Sequence, residues 1–371
     1  MNGERQAPSR GPNPVVLAAP ALAALLFALA AGLARLPLAV PGAGPFAPFH
    51  GPLMVSGFLG TVIAAERAAA LGRPWAWGAV ALNGLGAVLL LVCLATPLAG
   101  LVNLLPAGAF LFTAGGVGLV AIFAAIVRRE PRLHNMLMAL GAAGYLLGNA
   151  VLLAGRPVPA AVPAWSAFLV LTITGERLEL NRFLRPRRGD TAIVGLGVAL
   201  LVLGVVTAAV TRPAGDRLLG LAFLVLAGWL GARDIARRTV RMAGQTRYTA
   251  ICLLAGYVWL AAAGLLWLAH PGATAGPLYD AALHALFVGF VFSMILGHAP
   301  IIVPALTGRA VDYRGHFYLP LLLLHGSLAV RLLGDLAALP AWRRWGGALD
   351  VAALLLFLAV MVAAVRRGQV D

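Results

Sequence analysis

Runs of about 20 apolar residues recur along the whole chain, from Val15 to Val365. Each is long enough to cross a hydrocarbon layer about 30 Å thick. In hydrocarbon a segment must satisfy its own backbone N–H and C=O groups, and a continuous apolar run does so as a helix. The sequence therefore reads as an all-α integral membrane protein, a single polytopic domain over residues 1–371. Only 11% of residues are charged, against about 25% in soluble domains, which excludes an ordinary globular fold. Twelve transmembrane helices are expected, at about 14–36, 50–72, 76–96, 101–127, 134–154, 158–178, 191–211, 217–235, 248–270, 278–304, 317–337 and 346–366. The connections are short, and no linker divides the chain.

The net charge of +15 would suggest nucleic acid in a soluble protein. Here the basic residues sit between apolar runs, and nucleic acid is not expected as a partner; the lipid bilayer is. The loops "RREPRLH" (128–134), "ERLELNRFLRPRRGD" (176–190), "RDIARRTVRMAGQTR" (233–247) and "GRAVDYRGH" (308–316) all follow even-numbered spans. Loops after odd spans, such as "TPLAG" and "PGATAGP", are nearly uncharged. The positive-inside rule then puts both termini and the basic loops in the cytoplasm. Richness in Ala, Gly, Arg and Pro is associated with bacterial genes of high GC content, which points to a bacterial cytoplasmic membrane. Arg5 and Arg10 before the first apolar run resemble a signal sequence; a retained first helix is expected. Cys93 and Cys252 both lie in apolar runs and form no metal or haem-attachment motif.

Histidines inside apolar spans constrain function, because a buried imidazole needs a partner. His50 opens the second span, and His284 lies about six residues, roughly 9 Å, into the tenth. Both spans run inward, so the two histidines share the outer leaflet. One histidine from each of two helices at matching depth is what axial ligation of a haem iron requires. Two unrelated interfacial histidines are the plainer alternative. His298 lies 14 residues beyond His284, about 21 Å deeper and only about 40° around an α-helix. His325 is expected near the depth of His298, in the inner half.

Motifs around these histidines carry a resemblance. "HGPLM" at the second span is similar to the H-G-x-x-M of the catalytic subunit of haem–copper oxidases, whose histidine holds the low-spin haem. From His284, the later Gly289, Pro304 and Thr307-Gly308-Arg309 resemble that subunit's tenth helix. His284, Ala285, Leu286, Val288, Gly289, Met294, Leu296 and Gly297 fit more closely the H-A-L-x-V-G-x-x-x-x-M-x-L-G of the NnrS family. Those are twelve-span haem- and copper-containing proteins of bacterial nitric oxide metabolism. The resemblance implies a haem–copper-oxidase-like bundle with one bis-histidine haem b, and a role in nitrogen-oxide response or electron transfer. A quinone or cytochrome redox partner is implied with it. It also implies that Arg331, with Arg35 level with it, faces the haem propionates, although arginines at helix ends snorkel as well. The departures are specific. Ala282 stands where oxidases have a second histidine, and no histidine occurs between His134 and His270 to bind their copper. NnrS proteins have H-x-H-E-M where this chain has "PFHGPLM".

A second group of ionisable residues lies toward the cytoplasm: His134, Glu66 with Arg67, Glu176 with Arg177, His298 and His325. Charge at membrane depth is a functional signal by default. Three readings stand: a copper, iron or zinc site from His298, His325, Glu66, Glu176 and His134; a second haem at His298; or structural ion pairs and hydrogen bonds. The first would make the protein a metal-dependent reductase. The same charges as a proton or substrate path would make it a secondary transporter.

Overall fold

A computed structural model describes residues 14–36, 38, 40–95, 105–181 and 189–368. Among them every regular element is helical. In chain order the long helices are α1 (Pro14–Arg35), α2 (Gly44–Leu71), α3 (Pro74–Ala95), α4 (Pro106–Arg129), α5 (Leu133–Leu153), α6 (Val158–Leu180), α7 (Asp190–Ala208), α8 (Arg212–Arg233), α9 (Gly244–Ala269), α10 (Pro277–Thr307), α11 (Gly315–Leu336) and α12 (Pro340–Arg367). Eleven of them, α2 to α12, are long and apolar enough to cross a membrane. The side chains of α1 are described only from Ala19, and that stretch counts among the shorter apolar helices. Arg5, Arg10, "TPLAG" and the arginines of 182–188 lie outside the described residues.

The helix ends follow local chemistry. Pro stands at or beside the start of α6, α8, α10 and α12, where its missing N–H costs nothing. Gly72 and Gly308, with φ of 65° and 67°, close α2 and α10 in the left-handed conformation that glycine adopts freely. Several helices begin earlier than the apolar runs. α8 starts at Arg212 rather than near 217, because the Arg212 Nε donates to Asp216 Oδ1 at 2.7 Å one turn on. Polar first turns are helical without being hydrophobic, so hydropathy places their starts late.

Consecutive helices pack as antiparallel neighbours, with α1 touching α2, α3 and α12. α6 is the central helix, with 83% of its apolar window buried against 22% for peripheral α7. Its close fit against α5 uses Gly144, where a Cβ would lie 2.9 Å from the Ala164 carbonyl.

Two helices leave regular α winding. Leu53–Gly60 in α2 and Ala285–Phe292 in α10 are π-wound, with i→i+5 hydrogen bonds. Each run is eight residues long, begins one to three residues after a histidine, and has glycine at its fifth position, Gly57 and Gly289. Thr61 and Ser293, the first residues beyond each run, return their hydroxyls to the carbonyls of those same glycines.

Candidate functional site

The imidazoles of His50 and His284 face each other across one cavity, with ring centroids 6.4 Å apart and planes within 12° of parallel. α1 seats the first ring. Its Ala28 carbonyl accepts from His50 Nδ1–H at 2.7 Å, and Gly32, one turn on, leaves room where a Cβ would come within 3.0 Å of the imidazole. The His284 Nδ1–H donates to the Asp280 carbonyl in its own helix at 2.6 Å. With both Nδ1 atoms donating, each Nε2 carries the lone pair, and neither Nε2 has a hydrogen-bond partner among the described residues. A backbone carbonyl behind Nδ1 is how a metal-binding histidine is oriented and its tautomer fixed.

The cavity measures about 370 Å³ and has mostly apolar walls, including Trp165 of α6 and Phe287 and Phe292 of α10. Its charged end holds Arg35, Arg331, Asp280 and Asp350. Asp280 is the hub. Arg343 Nη2 donates to its Oδ2 at 2.5 Å, while Arg331 and Arg35 approach it more loosely, at 3.8 and 3.7 Å. Arg331 also stands 3.8 Å from Asp350, which accepts from Ser327 at 2.6 Å. The expected arginines are therefore present at the cavity, together with two carboxylates the motifs did not indicate, Asp280 and Asp350; behind Asp280, Arg343 also pairs with Asp335 at 2.9 Å.

The second group of residues comes together in part, around Arg67 and Arg177. Among the described residues no three His, Cys, Asp or Glu side chains stand together to hold a metal. Arg67 Nη2 bridges Glu66 and Glu176 at 2.8 and 2.6 Å. Both nitrogens of His298 are engaged, Nδ1–H donating to the Met294 carbonyl at 2.6 Å and Nε2 accepting from Arg177 at 3.1 Å. His325 accepts the indole N–H of Trp259 at 2.9 Å on Nδ1. His134 is half-buried and has no side-chain partner among the described residues.

Nor do His298 and His325 share a depth. On α9, Thr249 bonds the residue before His298, Gly297, whereas Trp259 bonds His325. Those α9 positions differ by ten residues (259 less 249), or about 15 Å along the axis. Counting from helix ends treats the ends as level, which they are not. The rotation of about 40° between His284 and His298 also fails, because the count crosses eight π-wound residues that turn through less than 100° each. His284 faces the cavity; His298 faces α6.

A family model described as a domain of unknown function, DUF8744, matches residues 14–366. The chain belongs to that family. No curated protein and no solved structure matches it. The DUF8744 match begins with α1 and runs to the last turn of α12, so it takes in both histidines and every wall of the cavity.

In this DUF8744 chain the roles of Arg177 and His298 are open to direct test. Removing the imidazole with His298→Ala strands the buried Arg177, whose Nε already lacks a hydrogen-bond partner among the described residues. Stability should fall by about 1–3 kcal/mol, the cost of one unsatisfied buried polar group. Non-haem metal per purified chain should stay as in the wild type; a loss of one metal ion per chain would make His298 a ligand instead.

Proposed function

We propose that this chain is a b-type haem protein of the bacterial cytoplasmic membrane, a twelve-helix multi-pass protein resembling NnrS. His50 and His284 would hold its iron, and the protein works in nitrogen-oxide response or electron transfer. The observation that carries the reading is the facing pair of imidazoles. A ring centroid lies about 1.1 Å from its nitrogens and a metal–imidazole bond is about 2.0 Å, so two imidazoles sharing one iron would have centroids no more than about 6 Å apart. The separation here is 6.4 Å with nearly parallel planes.

The remaining residues suit the same occupant. The apolar walls fit a flat macrocycle, and the small residues beside His50 admit close approach. Arg35 and Arg331 hold Asp280 only at 3.7 and 3.8 Å, which leaves N–H donors for the carboxylates of a propionate-bearing ligand. Haem bound here would supply one-electron chemistry, and two imidazole ligands favour carrying electrons over binding substrate. The protein's part is to fix both imidazoles, exclude water and balance charge at the outer end. A quinone or a cytochrome is the class of redox partner this requires.

Purified protein should show one haem b per chain, with low-spin spectra both air-oxidised and after dithionite. Absence of haem from protein made in haem-replete cells, with no uptake on titration, would overturn the proposal.

A further inference from the structure

The histidine His325 has no place in the cavity, yet its surroundings tie it to His284. Trp259 of α9 packs closely against the middle of the π-wound run of α10. A Cβ on Gly289 would sit 2.6 Å from Trp259 Cβ and 2.8 Å from its Cδ2, so only glycine admits the indole there. The i→i+5 pattern of that run links residue 289 to residue 284, one π turn earlier. The Gly289 carbonyl is held as well, by the Ser293 hydroxyl.

The indole is fixed from its other edge. Its Nε1–H donates to His325 Nδ1 at 2.9 Å, with the two ring planes within 16° of parallel. An indole nitrogen only donates, so His325 Nδ1 is the bare nitrogen and the proton sits on Nε2. That Nε2 is buried without a hydrogen-bond partner among the described residues. His325 thus spends its lone pair on Trp259 and offers none to a metal. A continuous chain of contacts runs from His325 through Trp259 and Gly289 to the turn that carries His284.

We infer that Trp259 and His325 are positioning residues, which clamp the π-wound turn of α10 and so set the orientation of the His284 imidazole. The inference rests on the haem reading above. Groups that bond a ligand directly are worth about 10–100-fold in affinity; Trp259 and His325 act one contact further out, so the lower end of that range is expected.

The test compares wild type, Trp259→Phe, His325→Ala and His325→Asn as full-length holoprotein. Phe keeps a ring over Gly289 but removes the N–H; Asn places a carbonyl acceptor where Nδ1 stands. Trp259→Phe and His325→Ala should keep one haem per chain, shift the low-spin electron paramagnetic resonance g-values, and lose haem to excess apomyoglobin about ten-fold faster. His325→Asn should return both readouts toward wild type. Wild-type g-values and loss rates in Trp259→Phe and His325→Ala would overturn the clamp and leave the haem reading intact. Halved haem or lost metal in His325→Ala would make His325 a ligand and overturn it too. A wild-type chain without haem overturns the haem reading itself. If His325→Ala does not fold, Trp259→Phe and His325→Asn still decide between these outcomes.

Discussion

His50→Ala and His284→Ala, made separately, are each expected to abolish the low-spin haem spectrum. Bis-imidazole ligation does not survive on one ligand, and no other histidine of the described residues lines the cavity. Among the described residues three other histidines are committed elsewhere, His298 to Arg177 and Met294, His325 to Trp259, and His316 to Arg367. Haem content should therefore fall toward zero or convert to a five-coordinate, high-spin form, whereas His298→Ala should leave the spectrum unchanged. The measurement is the absorption spectrum of the oxidised and reduced protein with haem quantified per chain. A normal low-spin spectrum in both variants would remove this site from consideration.

The second large effect does not depend on any cofactor. Asp280→Asn should destabilise the protein by about 3–5 kcal/mol, the range for leaving a buried charge without its partner. The carboxylate is 8% exposed and faces three arginines, of which Arg331 is itself buried. Arg343 keeps Asp335 at 2.9 Å and Arg331 keeps Asp350 at 3.8 Å, but two carboxylates then remain for three guanidinium groups. Arg35→Ala, at the 45% exposed member, should cost less than about 1 kcal/mol because solvent screens that pair. Thermal or denaturant unfolding in one detergent, with all proteins compared, checks the order. Equal losses in the two variants would refute the hub role of Asp280.

Much of the architecture is written in apolar run length, which needs no long-range information. The pairing of His50 with His284 is legible for a related reason. Both lie near helix starts on the same side, so counting 1.5 Å per residue accumulates little error. The same count misplaces His298 and His325, which are farther from the ends, because helix ends are staggered and α10 is partly π-wound. Nothing in hydropathy distinguishes π from α winding; the only local trace is glycine followed four residues later by a hydroxyl, Gly57 with Thr61 and Gly289 with Ser293. The hub role of Asp280 is hidden in the sequence, because one carboxylate in a first turn reads as an ordinary helix start. Its position four residues before His284, on the same face, was the available signal.

His50 lies against the first helix, and Gly347, Val351 and Leu354 of the last helix line the same cavity. That arrangement sets an order of assembly. A nascent chain that has released ten helices already carries both histidines, but the wall from α12 is still inside the ribosome or just leaving it. Tight retention of any occupant therefore waits until α12 has been made and has packed against the cavity. A chain truncated before Pro340 would be inserted in the membrane, with its two imidazoles exposed along an unfinished side.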